Sequence, residues 1–417
     1  MVNRSSMACR TTAWLKSYAV ACLVLMSGCV PEADFNFNMV YAIKQQRDLK
    51  MEFSDQRQRE MGDVLTALFG TPDDPHVPAI GVADVDQFVS LAKLERAAGP
   101  VGRDERGSPR GLYREHCAHC HGVSGDGAGP TASFLNPYPR DYRMGVFKFK
   151  STPKGFKPTH EDLKRILNEG IAGTAMPSFK VLPENEVEAL IHYVRYLSIR
   201  GEAERVLLNF TASELEEEDR LLDVQASDEL KAEQAAILRD ELVGPIIEKW
   251  IASEAMATAV PAPDPDRNRE LTAARGRELF YGEVANCVKC HGGAQLGDGE
   301  TTDYDDWTKE LEPANTAALA EYLHAGALQP RNIIPRNLRL GVYRGGRRPI
   351  DIYWRLRNGI DGSPMPAALI KPDGSPPEVK GLTQADVWCL IDYVRQLQYE
   401  RISHPAMPDP TNQRERM

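Results

Sequence analysis

A chain of 417 residues, 42% hydrophobic and 7% aromatic, can bury cores of its own and is too long for one small domain. Its formal net charge of −10 and pI near 5.5 argue against nucleic acid as a partner. Eight cysteines are a modest number, and their placement says more than their count.

The N-terminus reads as a signal. Arg4, Arg10 and Lys16 precede the apolar run from Tyr18 to Met26, which ends at Ser27, Gly28 and Cys29. This is a basic region, a short apolar region and small residues before a cut; the run is too short to cross a bilayer as a helix. The cysteine after small residues resembles the lipobox of bacterial lipoproteins. That resemblance implies acylation of Cys29 and a lipid anchor on the periplasmic side of a bacterial membrane. Plain secretion with cleavage nearby, or a retained anchor, is the competing reading. Residues 1–29 are thus expected to be the signal.

Residues 30–100 follow as a leader. Within it, 59–69 carry apolar residues at helical spacing and stop at Gly70, before Pro72 and Pro75. No cluster of chemically active residues falls here, so the leader reads as a packing or docking segment.

From there the sequence repeats itself. The first copy (101–200) carries Cys117-Ala-His-Cys120-His121, then Pro139-Arg140 to Phe147, then Gly170 to Met176-Pro177. The second (269–402) carries Cys287-Val-Lys-Cys290-His291, then Pro335-Arg336 to Tyr343, then Gly359 to Met365-Pro366. Each closes on a similar amphipathic stretch, holding Tyr193 in one and Tyr393 in the other. The loops between differ in length, and the second copy has an insertion at roughly 300–330, as expected of duplicated domains whose loops absorb length changes. Between the copies, 201–268 is acidic with leucines at helical intervals, ending in the Pro-rich Pro261 to Pro265. It reads as an acidic helical linker, either a solvated helix face or a docking surface. Residues 403–417 form a tail.

Cys-x-x-Cys-His is the attachment site of a c-type haem. Two cysteines form thioethers with the haem vinyl groups, and the next residue aims its imidazole at the iron. Two such sites at equivalent places in a repeat predict two haem c groups, held by Cys117 and Cys120 and by Cys287 and Cys290, with His121 and His291 on the irons. A four-cysteine zinc site, a thioredoxin-like redox pair and a disulfide are the rivals; none accounts for the histidines and the repeated methionines together. Met176 and Met365, 55 and 74 residues beyond their histidines, stand in Gly-x-x-Met-Pro contexts at one repeat position. A thioether opposite an imidazole favours ferrous iron and raises the potential, which suits a carrier. The competing fate of a methionine is the core. Met144 has Leu340 as its repeat partner, and His192 has Asp392, so neither competes well; His160 is also weak. Cys389, on the apolar side of the last helix, reads as core.

With these motifs, both halves resemble class I cytochromes c. The resemblance implies an all-α fold, two tandem class I cytochrome c-like helical domains, each with an N-terminal helix ending in the haem motif, a methionine loop, and a C-terminal helix crossing the first. It also implies that a proline carbonyl accepts a hydrogen bond from the axial histidine. Pro130 matches that position, while the second copy has Glu300 there and no proline. Arg140 and Arg336 could pair with haem propionates through a bidentate fork, or be surface arginines. Lys148, Lys150, Lys154 and Lys157 form a cationic loop, read either as a rim that steers an acidic redox partner or as a solvated loop.

Nothing beside the haem motifs points to substrate chemistry. Three functions follow: a free or membrane-tethered electron carrier, a subunit of a respiratory complex such as a terminal oxidase or a quinol-oxidising complex, and a dihaem peroxidase. The last would need one haem to lose its sixth ligand. The partners expected are redox proteins, as donor and acceptor.

Overall fold

The computed structural model describes residues 32–79, 81–215, 219–221 and 227–400; the expected signal with Cys29 and the tail lie outside the described residues. Residues 35–400 lie within one unit, and the description concerns that unit. Two residues on each side, Gly102–Arg103 and Pro109–Arg110, make a short antiparallel pair, and the regular structure is otherwise helical.

The leader folds into the first core. Helix α1, Met39–Leu49, starts where Asn38 accepts the Tyr41 amide and stops at Lys50 in the left-handed region. Helix α2, Asp55–Phe69, is capped by Ser54, which accepts the Arg57 amide, and ends at Gly70. It starts four residues before the stretch read from periodicity, because its first turn is polar. Met61, Val64, Leu65 and Phe69 are buried among residues of the first domain. The Phe69 carbonyl accepts the Tyr196 hydroxyl, and the two rings meet edge-on at 6.1 Å. At ~1.5–3 kcal/mol for each fully buried large apolar side chain, four such residues make the leader a structural part of this core.

In the first domain, helix α3, Leu112–His116, leads into the haem motif, and helix α4, His160–Glu169, is fixed by a capping box of Thr159 and Asp162. Helix α5, Glu184–Glu214, runs 31 residues, so the expected boundary between the first domain and the linker falls inside one helix. At Gly201 the backbone of Arg143 crosses so closely that a Cβ would overlap it. The linker returns as helix α6, Gly244–Ser253, and buries Trp250 between Phe88, at 6.3 Å, and Phe147, at 5.9 Å. That part of the linker is neither a solvated face nor a docking surface for another protein; it closes the first core.

The second domain is built on two crossing helices. These are α7, Arg269–Tyr281, capped by Asn268, and, at the chain's end, the helix Gln384–Gln396, capped by Thr383 and Asp386. They meet at Gly276, where a Cβ would overlap the Cys389 carbonyl oxygen. Only glycine permits this approach, and it lets Phe280 meet Tyr393 edge-on at 5.6 Å. Cys389 is buried, as its place on the apolar side implies. Asp392, which stands where the first copy has His192, accepts from Arg267 Nε and Nη2 and from the Thr272 hydroxyl.

The insertion grips the first half of the molecule. Leu311, Ala318 and Tyr322 pack with Val40 and Ile43 of α1. Arg47 pairs with Glu312 at 3.2 Å and Glu321 at 3.1 Å, and Arg331 donates to the Leu135 and Ser133 carbonyls.

The two domains meet with corresponding segments exchanged. Gly173, in the first methionine loop, lies against Arg336 and Val342 of the second domain. Gly362, at the same position of the second loop, lies against Val146, the repeat partner of Val342. Phe149 covers Gly345, its own repeat counterpart, and Arg165 lies over the Trp354 ring at 5.4 Å while pairing with Asp351 at 3.0 Å. Each domain therefore presents its methionine loop and its Pro-Arg segment to a shared seam.

Candidate haem sites

Each haem motif is a single turn of helix that runs into glycine. Ala118–His121 ends at Gly122 and Val288–His291 ends at Gly292, both with positive φ, which turns the chain back beneath the histidine. In both copies the next strand of chain docks on that turn: the histidine carbonyl accepts an amide from Gly127 or Gly297 at 2.9 Å.

The imidazoles are oriented identically. His121 Nδ1 stands 3.0 Å from the Arg140 carbonyl, and His291 Nδ1 stands 3.1 Å from the Arg336 carbonyl. With Nδ1 donating there, the free lone pair is on Nε2, the nitrogen an axial ligand presents. This corrects the expectation for Pro130. That residue is exposed, and the acceptor is the main chain of Arg140, ten residues later. It also supplies the second copy's missing proximal partner, because Arg336 occupies the matching repeat position. Burial pulls His121 down to about 4, against the Arg140 carbonyl bond, and lowers His291 in the same way. Both rings are neutral at pH 7, the form that binds iron.

The cysteines are not joined to one another, and among the described residues no three His, Cys, Asp or Glu side chains cluster to hold a bare metal ion. Burial pushes Cys117 up to about 12 and Cys287 up to about 11. Such thiols are poor thiolates, the opposite of what a redox-active pair requires. The residues fit a covalently held haem instead.

The methionine loops are also built alike. The Met176 carbonyl accepts the Ile171 amide and the Met365 carbonyl accepts the Ile360 amide, each at 3.1 Å. Gly170 and Gly359, both with positive φ, stand against the loop backbone where a Cβ would not fit. Met176 is half-buried and packs on the first core, and Met365 is half-buried. The rival histidines are occupied elsewhere: His160 by Glu188 at 3.0 Å, and His192 by the Ser90 amide and Lys93.

Lys154 of the basic loop is exposed, but the other three lysines form neither a steering rim nor a solvated loop. Lys148 pairs with Asp305 at 3.7 Å, Lys150 with Asp361 at 3.3 Å, and Lys157 with Glu202. Lys150 and Lys157 are buried, and the first two lysines face second-domain carboxylates across the seam. The sequence could not show the first two pairs, because Asp305 and Asp361 lie more than 150 residues away. Burial, with Arg140 adding to it, pulls Lys148 down to about 7; burial also pulls Arg140 down to about 10. Arg344 has a buried Nε with no hydrogen-bond partner among the described residues, and burial beside Arg336 lowers it too. The seam is therefore rich in cations that burial disfavours, an environment suited to haem carboxylates. Arg140 and Arg336 both reach it, Arg336 with its Nε donating to the Val342 carbonyl at 2.8 Å.

Two residues that sequence reasoning passed over flank the first site. The Tyr142 ring stacks on His121 at 4.7 Å with planes 14° apart, whereas its repeat partner is Leu338. Trp307, in the insertion, stacks on Arg140 at 4.1 Å.

Comparison with known families follows the same division. Residues 105–194 match the family described as cytochrome c oxidase, cbb3-type, subunit III, and residues 273–398 match the cytochrome c family. The chain is a tandem dihaem cytochrome c. This cytochrome carries two covalently bound haem c groups with iron, one per domain, and its all-α fold is that of two cytochrome c domains in tandem. A chain of the Kuenenia stuttgartiensis reducing HAO-like protein complex shares 23% identity at a TM-score of 0.45, covering 72% of the cytochrome and 98% of that chain. No curated protein matches. When bound, haem iron alternates between ferric and ferrous and supplies one-electron chemistry. Its role is haem-based electron transfer, and what the protein contributes is the orientation of two imidazoles and a cationic seam between the sites.

Proposed function

We propose that the cytochrome moves electrons through two six-coordinate haems, His121 with Met176 and His291 with Met365, as a periplasmic carrier or redox subunit tethered at Cys29. The observation that carries this reading is the duplication of the whole site. Both copies combine a histidine turned by the carbonyl of a Pro-Arg segment with a methionine loop of one construction. A filled sixth position leaves no place for peroxide or oxygen, so outer-sphere transfer is favoured and a dihaem peroxidase is disfavoured. The subunit reading is favoured by one specific observation, the match of the first domain to an oxidase-subunit family.

An oxidised-minus-reduced absorption spectrum, extended past the red edge of the visible, tests the ligation. A weak methionine–iron charge-transfer band worth two haems per chain is expected; a five-coordinate high-spin signal in place of it would contradict the reading. No described helix is long and apolar enough to cross a membrane; the tether proposed here is the lipid on Cys29. Changing Cys29→Ser is expected to move the protein from the membrane fraction to the soluble one, and unchanged retention would argue for another anchor.

A further inference from the structure

The seam is symmetric in its glycines and valines but not in its aromatic content. Trp307 has no counterpart in the first copy, because it arrives on the insertion. It is the second residue of the short helix Asp306–Lys309, whose cap, Asp305, accepts the Thr308 amide and also pairs with Lys148. The indole takes two cations of the first domain at once, the Arg140 guanidinium at 4.1 Å and Lys148 Nζ at 4.6 Å from the ring centre. Its far edge lies on Gly362 of the second methionine loop, where a Cβ would press on it. One side chain thus touches the residue whose carbonyl turns His121 and the loop that carries Met365.

We propose that Trp307 is a positioning residue that holds Arg140 and Lys148 close to the first haem in a water-poor layer, and so sets how an electron divides between the two haems. This rests on the dihaem reading above. A cation near a haem favours the ferrous form, which carries one positive charge fewer, and its effect grows as water is excluded. A cation over an indole face is held by the ring's own field, most firmly where it is desolvated, and Asp305 at 3.7 Å offsets part of the charge of Lys148. Among the described residues no ring covers Arg336 or Arg344 at the second site, so removing Trp307 acts on one haem more than the other. Holding both cations through the insertion also explains why a loop of the second domain is anchored so firmly on the first.

The test is a redox titration of the full-length holoprotein, with each haem assigned by loss of its methionine band in Met176→Ala or Met365→Ala. Every variant is first checked for two haems per chain; fewer than two in the unaltered protein would overturn the dihaem reading and this proposal with it. Trp307→Leu keeps apolar bulk but removes the π face. It is expected to shift the partition about tenfold toward the second haem, ~59 mV for a one-electron couple, while Trp307→Phe stays within about threefold of the unaltered protein. An unchanged partition in Trp307→Leu, or an equal shift in Trp307→Phe, would overturn the proposal. Should Trp307→Leu fail to load both haems, Lys148→Met asks the same question. A shift in the same direction supports the proposal, and no shift refutes it.

Discussion

Replacing Met176 by Ala is expected to leave both haems attached, remove half of the methionine–iron band, and lower the potential of the first haem alone. Covalent attachment rests on Cys117 and Cys120, so the haem stays when the sixth ligand goes. The thioether is a soft, neutral ligand that favours ferrous iron, and water or an adventitious base in its place favours ferric. The fall should be roughly 0.1–0.3 V, a fraction of the ~0.8 V that axial ligation spans. Met365→Ala should do the same to the second haem. The two loops share their turn hydrogen bond and their positive-φ glycine, so a folding defect is not expected in either. If either variant keeps the full band, that methionine is a core residue.

Changing Gly276→Val is expected to cost about 3 kcal/mol, the upper end of overpacking penalties, and to lower the melting temperature of the second domain by roughly 10 °C. The reason is local. A Cβ at this position would overlap the Cys389 carbonyl oxygen, part of a helix backbone that cannot rotate away. Valine gains a few tenths of a kcal/mol in helix propensity over glycine, far too little to offset the clash. Separating the crossing helices also pulls Phe280 from Tyr393, next to His291. Loss of the second haem's band on warming should therefore precede loss of the first. Gly293→Ala is the control, since a Cβ there meets nothing within 4 Å. Equal stability of the two variants, measured by thermal denaturation, would show that the crossing is not tight.

Much of this was legible because a tandem repeat carries its own internal check. The haem motifs, the methionine loops and the Tyr193 and Tyr393 positions could be aligned copy against copy, and local chemistry at each was enough. What failed was long-range. Pro130 was expected to accept the His121 hydrogen bond by resemblance, but the chain runs on and offers Arg140 instead; the repeat already held a clue, since Pro130 has no counterpart while Arg140 has Arg336. The lysine loop read as surface because its charges had no local partners, yet Asp305 and Asp361 meet Lys148 and Lys150 only after the domains pack. Helical spacing correctly marked α2 and the linker positions Leu207, Leu208, Leu230 and Ile237, while Leu215 and Leu221 lie outside helices, and periodicity does not say which core a helix joins. Trp250 and Phe69 show that both the linker and the leader close the first domain.

Haem stoichiometry decides whether one chain holds two covalent haems. The purified protein is extracted with acidified ketone and the remaining haem is measured as its pyridine complex in alkali. Two c-type haems per chain, resistant to extraction, are expected, falling to one in His121-motif variants Cys117→Ser with Cys120→Ser. Extractable haem, or one haem per chain in the unaltered protein, would contradict the account.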